Sequence, residues 1–318
     1  MEDEGTYGEW SREHELVDSS AVPHDDGAGA PIPVTIPVDL AAGVKVVFTT
    51  RLGGVSRGDY ASLNLGGKGG DDPIAVGANR RALERTLGAP LTLVSQVHSG
   101  KAQDADRSPR QELASVNADA LVSSQAGVAL GMFAADCLPV LLADPHSGVI
   151  GAAHCGRRGL EQGVITAVVD LMVAKGARRR DIVAGLGPAI CADCYEVGDR
   201  IAADFSLRFP GTAGPTRFGG QGIDISGAAR QALAQTGVDR LVDCGPRMAA
   251  ATQYLRSDPE LADLCAVDGE GPDLAGRLKR LRHARCTLEN PLWYSHRRAA
   301  LAGKSHEGRM LALIVRAD

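Results

Sequence analysis

The chain is poor in the residues a multinuclear copper centre demands: it has eight histidines in 318 residues and no HxH pair. A blue-copper site with a trinuclear cluster needs far more imidazole than that. Other signatures are missing too. The HxE and PCxxC pairing of cytidine-deaminase-type zinc enzymes is absent, and Gly66-Gly67-Lys68-Gly69-Gly70 lacks the GxxxxGK[ST] order of a phosphate loop and reads as a flexible turn. Cys191-Ala192-Asp193-Cys194 has no second CxxC to make a zinc ribbon and no thioredoxin-like context, so a structural role is expected. The N-terminus has neither a basic start nor an apolar core, which argues against a secretory signal. The most apolar stretch, 126–143, is interrupted by Asp136 and Pro139, which argues against a membrane span. Seven cysteines, an odd number, with no export signal point to a reduced cytoplasmic compartment.

What is present suffices for a large core. The chain is 44% hydrophobic, and no linker interrupts it, so one domain is expected over 35–318. The net charge of -5 is unevenly spread: residues 1–34 hold nine acids and one arginine, leaving 30 acids against 33 bases. The first segment reads as a disordered acidic tail. The remainder is slightly cationic, which suits an anionic substrate and gives no ground for nucleic-acid binding.

The informative stretch is 129–160. Ala129–Ala134 and Val140–Ala143 are strand-like runs flanking Asp136-Cys137, and Pro145-His146-Ser147-Gly148 supplies a turn before Val149–Ala153. Neighbouring strands would present Cys137 and His154 at their ends, and His98 ends a third β-rich run, LTLVSQVHSG. Two imidazoles and a thiolate suit a borderline-soft cation such as zinc, with a fourth position open for water or substrate. The plainer reading is two satisfied core histidines and an inert buried cysteine.

Elsewhere the elements alternate, predicting α/β with mixed sheets covered by helices. Val44–Thr50 is a strand ending at Arg51 beside the Gly53-Gly54 turn; Arg51 could grip an oxyanion and Asn64 a sugar or base, or both could merely pin the loop. Pro73–Leu87 is a helix stopped by Gly88, and 101–115 a surface loop. Leu160–Lys175 is a helix whose start near Arg158 would aim N–H groups at the cleft. Glu196 is either a general base or a surface ion-pair partner. Further on, Ile223–Thr236 reads as a helix and Val238–Val242 as a strand. Residues 257–283 look like an insertion whose basic run from Arg277 to Arg282 is a solvated face, and 293–298 with 309–315 form a hairpin-like pair.

Several ordered motifs, TTRLGGVSRGDYASLNLG (49–66), SQVHS (95–99), DALVSSQAGVALGMFAADCLPVLLADP (119–145), IGAAHCGRRG (150–159), GLGPAICADCYEVG (185–198) and CTLENPLWYSHRR (286–298), resemble the YfiH or laccase-domain family. The resemblance implies a layered α/β/β/α sandwich. It also implies a zinc-dependent purine nucleoside phosphorylase with adenosine deaminase and methylthioadenosine phosphorylase activity, acting on purine nucleosides and inorganic phosphate. His98, Cys137 and His154 fall on the metal-ligand positions. Asp136 is the nearest proton shuttle or ligand orienter, while Arg51 and Arg158 are the candidates for phosphate. The family's HAGWRG becomes His154-Cys155-Gly156-Arg157-Arg158-Gly159 here, which removes an aromatic surface. Three rivals follow from the same residues. One is a copper polyphenol oxidase, reduced by the ligand count to single-copper occupancy. The second is a Cys137/His hydrolase acting on cell-wall precursors. The third is a non-enzymatic zinc-stabilised module with Cys155 as fourth ligand, although adjacent strand residues point to opposite faces.

Overall fold

Many strands of this chain carry apolar side chains on both faces, and that pattern dictates layers. In the run Val44–Thr49, Val46 and Phe48 join one buried cluster and Val47 another. In Leu138–Asp144, Val140 and Leu142 likewise oppose Leu141 and Ala143. A strand buried on both faces must lie inside a stack.

The computed structural model describes residues 25–316. Among them a five-stranded sheet runs β1 (Thr35–Ala41), β2 (Val44–Thr49), β13 (Met310–Arg316), β6 (Ala129–Ala134), β3 (Leu91–Thr92). A six-stranded sheet runs β12 (Arg240–Val242), β9 (Val183–Leu186), β7 (Leu138–Asp144), β8 (Val149–Cys155), β5 (Ala120–Ser123), β4 (Ala102–Asp104), and β10 (Ala213–Pro215) pairs with β11 (Gln221–Ile223). Both large sheets mix parallel and antiparallel pairs.

Phe48, Met132, Leu141, Ile150 and Ile314 fill the space between the sheets. Helix α1 (Pro73–Leu87) covers the outside of the first sheet through Leu83. Helices α3 (Arg157–Glu161), α4 (Val164–Ala174), α5 (Asp199–Arg208) and α6 (Ile225–Gln235) cover the outside of the second, where Val168 and Met172 of α4 lie against β8. The order is α/β/β/α. Helices α7 (Gly245–Tyr254), α8 (Pro259–Val267) and α9 (Leu274–Arg280) close the inter-sheet core through Met248, Leu261, Leu264 and Leu274.

Several expectations need correcting. Residues 160–175 are not one helix, because Gly163 takes a left-handed conformation and separates α3 from α4. The loop 101–115 contains β4 and the single turn α2 (Arg110–Leu113). Residues 293–298 are not a strand: Ser295 caps the short helix α10 (His296–Leu301), and Trp293 is buried. The basic run in the insertion is not wholly solvated, since Arg277 is buried and pairs with Asp268. The acidic tail lies outside the described residues up to 24. From Pro31 on the chain is already packed, with Val34 exchanging backbone bonds with Thr50 and Leu52.

Candidate metal centre

The link from β6 to β7 is where the chain leaves one sheet for the other, and Cys137 lies in it. β7 and β8 form a hairpin with Leu138 opposite Cys155 and Pro139 opposite His154. The thiol therefore emerges beside the end of β8, where His154 shares the inter-sheet parity of Ile150 and Ala152. Cys155 takes the other parity and is buried in the cluster under α3 and α4, which removes it as a fourth ligand.

His98 arrives on a loop rather than a strand, because β3 ends at Thr92. Its backbone has a φ of 61°, a left-handed conformation that a non-glycine residue holds only when its surroundings enforce it. The enforcement comes from Asp119. One carboxylate oxygen accepts the His98 N–H at 2.9 Å, and the other accepts N–H groups of Val97 at 3.2 Å and Ser99 at 2.6 Å and the Ser99 hydroxyl at 2.7 Å. Gln96 fastens the same loop to β6 by exchanging two bonds with the backbone of Phe133.

The oxygen that holds His98 also lies 2.9 Å from Nδ1 of His154. A carboxylate there fixes the proton on Nδ1 and leaves Nε2 as donor toward the centre. Asp119 thus braces both histidines. Its reach over 20 to 35 residues is not visible in sequence, although its position at the head of the DALVSS run was a cue.

The donor atoms of His98, Cys137 and His154 lie within 4.8 Å of one another. Cys137 Sγ is 3.7 Å from His98 Nε2, and the two imidazoles meet edge to face with centroids 4.9 Å apart. Sulfur and nitrogen on one tetrahedral zinc would be separated by about 3.5 Å, so the spacing fits such a cation. Gly156 makes room: a Cβ there would be 2.8 Å from the Cys137 sulfur and 3.1 Å from the His98 ring. His154 is buried, Cys137 half-buried and His98 exposed, and the group contains three donors among the described residues.

Electrostatics favour cation binding. Burial pushes the Cys137 thiol up, but the imidazolium of His154 and hydrogen bonds from both histidines outweigh it and bring the pKa to about 6. Burial lowers His154 while the Cys137 thiolate and Asp119 raise it, to about 9. Asp119 is raised by burial and brought to about 2 by its bonds to His154 and Ser99. A divalent cation would replace the proton between thiolate and imidazole.

The other expected site residues divide. Asp136 adjoins Cys137, but its carboxylate accepts from the hydroxyls of Thr287 at 2.6 Å and Ser295 at 2.7 Å and from the Arg297 N–H at 2.7 Å. It fastens the 287–297 segment under the Cys137 turn. Arg51 is sealed at 2% exposure, giving its guanidinium to Asp268 at 3.1 Å and to the Ala61 carbonyl and lying over the Tyr294 ring. Asn64 is buried and bonded on both its oxygen and its nitrogen, to Gly66, Arg309 and Asp71. Both pin the loop and leave no free edge for substrate. Arg158 is exposed, one residue into the five-residue α3. Glu196 accepts from the Thr216 hydroxyl and the Gly220 N–H through Oε2.

One neighbour was missed. Tyr195 senses both Cys137 and Arg157, and burial first, then the Cys137 charge, pushes its hydroxyl up to about 12. Arg297 stacks over that ring. The remaining described histidines are tied elsewhere: His146 beside Asp144, His283 to Asp193, His296 to Glu307, and His306 stacked on Tyr60.

Fold and site together define a layered α/β protein with an open, three-donor candidate metal centre at a sheet-to-sheet crossing. Residues 45–255 match the family described as multi-copper polyphenol oxidoreductase laccase. The chain is 45% identical over 207 residues, 64% of its own length and 83% of the relative's, to a purine nucleoside phosphorylase of Streptomyces griseus. It is 36% identical over 222 residues, 69% of this chain and 88% of the relative, to a purine nucleoside phosphorylase of Mycobacterium tuberculosis. A crystal structure of a Neisseria meningitidis protein superposes with a TM-score of 0.68 at 30% identity, covering 90% of this chain and 99% of that one. The chain belongs to the laccase-domain (YfiH-like) family. No helix among the described residues is long and apolar enough to cross a membrane.

Proposed function

We propose that this protein is a purine nucleoside phosphorylase working at a divalent cation, zinc by its donor chemistry, held by His98, Cys137 and His154. The observation that carries the reading is the convergence of three remote donors within 4.8 Å, with an exposed imidazole and no fourth protein donor among the described residues. Structural zinc sites are closed by four protein ligands, whereas catalytic ones keep a position open. The names of the relatives supply the substrate class.

Phosphorolysis joins a phosphate oxygen to C1′ of the ribose and breaks the C1′–N9 bond, leaving an electron pair on the departing purine. A bound cation would supply Lewis acidity toward the purine or toward a water molecule, which also accommodates deamination of adenosine and phosphorolysis of methylthioadenosine. Asp119 holds His154 in the tautomer that presents Nε2 and holds the loop that presents His98. Arg158, exposed beyond Gly156, is the cation available to phosphate, and Tyr195, under Arg297, lies close enough to feel the Cys137 charge. The test is product analysis with inosine, adenosine and methylthioadenosine, with and without phosphate. Ribose 1-phosphate, or its 5-methylthio analogue, formed only when phosphate and metal are both present supports the reading; free ribose or no product overturns it.

A second reading has one observation in its favour. Asp119, His154 and Cys137 stand in the order carboxylate, imidazole, thiol that activates a cysteine nucleophile in hydrolases. It predicts that alkylating Cys137 abolishes hydrolysis of an amide substrate in metal-free protein. Occupancy of the centre by one copper ion would similarly show as phenol oxidation by copper-loaded protein.

A further inference from the structure

The sequence holds one CxxC, at Cys191 and Cys194, and its missing partner is a CxxE. Cys286-Thr287-Leu288-Glu289 repeats the spacing 95 residues further on, with Glu289 in place of the second cysteine. The fold brings the two pairs together. Ala189 and Cys286 form a parallel bridge, with the Ala189 N–H donating to Arg285 at 3.0 Å and the Thr287 N–H to Ala189 at 3.1 Å. The Cys191 N–H donates to the Cys286 sulfur at 3.4 Å, the kind of backbone contact that supports a charged thiolate.

We propose that Cys191, Cys194, Cys286 and Glu289 bind a second divalent cation, zinc, as a closed structural site distinct from the His98/Cys137/His154 centre and independent of the nucleoside reading. The four donor atoms lie within 4.8 Å of one another. Cys194 Sγ is 3.5 Å from Glu289 Oε1, matching the separation of about 3.5 Å expected for sulfur and oxygen on one tetrahedral zinc. Three thiols and a carboxylate complete a four-ligand set, whereas any disulfide would use two of the sulfurs and strand the third; all of these cysteines are free.

Glu289 is held in place by protein. Its Oε2 accepts the N–H groups of Arg282 at 2.9 Å and His283 at 2.8 Å, and Arg217 lies 2.7 Å from Oε1, offsetting the charge of the donor set. Cys194 and Cys286 are buried, while Cys191 is half-buried on the wall of a cavity of about 500 Å³ that also touches Asp193 and His283 and gives an ion a way in. The location explains a structural purpose. Residues 282–298 form a long stretch with no strand and one short helix, yet it supplies Thr287, Ser295 and Arg297 to Asp136 beside Cys137. A cation would clamp its beginning to the segment that follows β9.

Anomalous scattering at the zinc edge from crystals of the wild-type protein should show two peaks, one among each donor set. Zinc content of the triple variant H98A/C137A/H154A, purified without added metal, should be one equivalent per chain, lost on adding Cys286→Ser. A single peak at the first centre, or peptide mapping that finds Cys191 and Cys194 joined as a disulfide in the native protein, would overturn the proposal. The scattering measurement stands even where a variant fails to fold.

Discussion

Two polar regions that look alike in sequence, each an arginine- or histidine-bearing strand end beside glycines, differ in what their side chains leave available. Around Arg51 the insertion supplies carboxylates that use the cations up: Asp268 pairs with Arg51 and Arg277, and Glu270 with Arg298 and Lys304. Around Cys137 the polar atoms face one another, with Asp119 bracing them from behind. The difference teaches that residue type at a strand end is insufficient to mark a site; what decides is whether tertiary neighbours saturate the group. A buried ion pair supports a fold only while both partners remain. An unsaturated donor cluster is the place for an ion.

Substitutions can break this contrast. His98→Ala combined with His154→Ala should remove the cation and lower phosphorolysis by more than about 100-fold, since even residues bracing metal ligands contribute about 10- to 100-fold; steady-state rates with inosine measure it. Arg51→Ala should destabilise the fold by about 3–5 kcal/mol in denaturant titration, because Asp268 loses a buried partner, while KM for phosphate stays within about twofold. A large KM increase without loss of stability would reverse the assignment. Asp119→Asn should weaken metal binding by about 10- to 100-fold in a chelator competition. Arg158→Ala should raise KM for phosphate by roughly tenfold, about 1.4 kcal/mol, with stability within about 0.5 kcal/mol of wild type.

Acid gives the smallest effect and sharpens the same contrast. Burial raises Asp268 and Glu270, but bonds and charges from Arg277, Arg298 and Arg51 hold both below the ordinary carboxylate range. A depressed folded-state pKa means that protons favour the unfolded chain. Their stabilisation is therefore complete only above the ordinary values of 3.8 and 4.5 and declines as pH falls through the depressed ones. Denaturant midpoints between pH 3 and 6 should fall more steeply with acid in the wild type than in Arg51→Ala.

The parts legible in sequence were those fixed by neighbouring residues. Helix α1 is bounded by Asp72 with Pro73 and by Gly88 in a left-handed conformation, all local signals. The β7–β8 hairpin follows from apolar runs around a turn. By contrast, Trp293 and Tyr294 looked like strand residues because their burial comes from distant packing, and the Arg277 run looked solvated because its carboxylate partner depends on how α8 and α9 fold back. Asp119 escaped notice for the same reason: a single carboxylate acquires a role only when the loop at 97–99 and the end of β8 meet it. Motif resemblance pointed to His98, Cys137 and His154, but it also suggested Arg51 and Asn64 as substrate contacts, which their saturated bonds do not support.

Metal content per chain, measured side by side for wild-type protein and Cys137→Ser purified without added metal, bears most directly on the centre. The expected result is the loss of one equivalent with the folded signal retained. An unchanged metal content in a folded Cys137→Ser protein would contradict it.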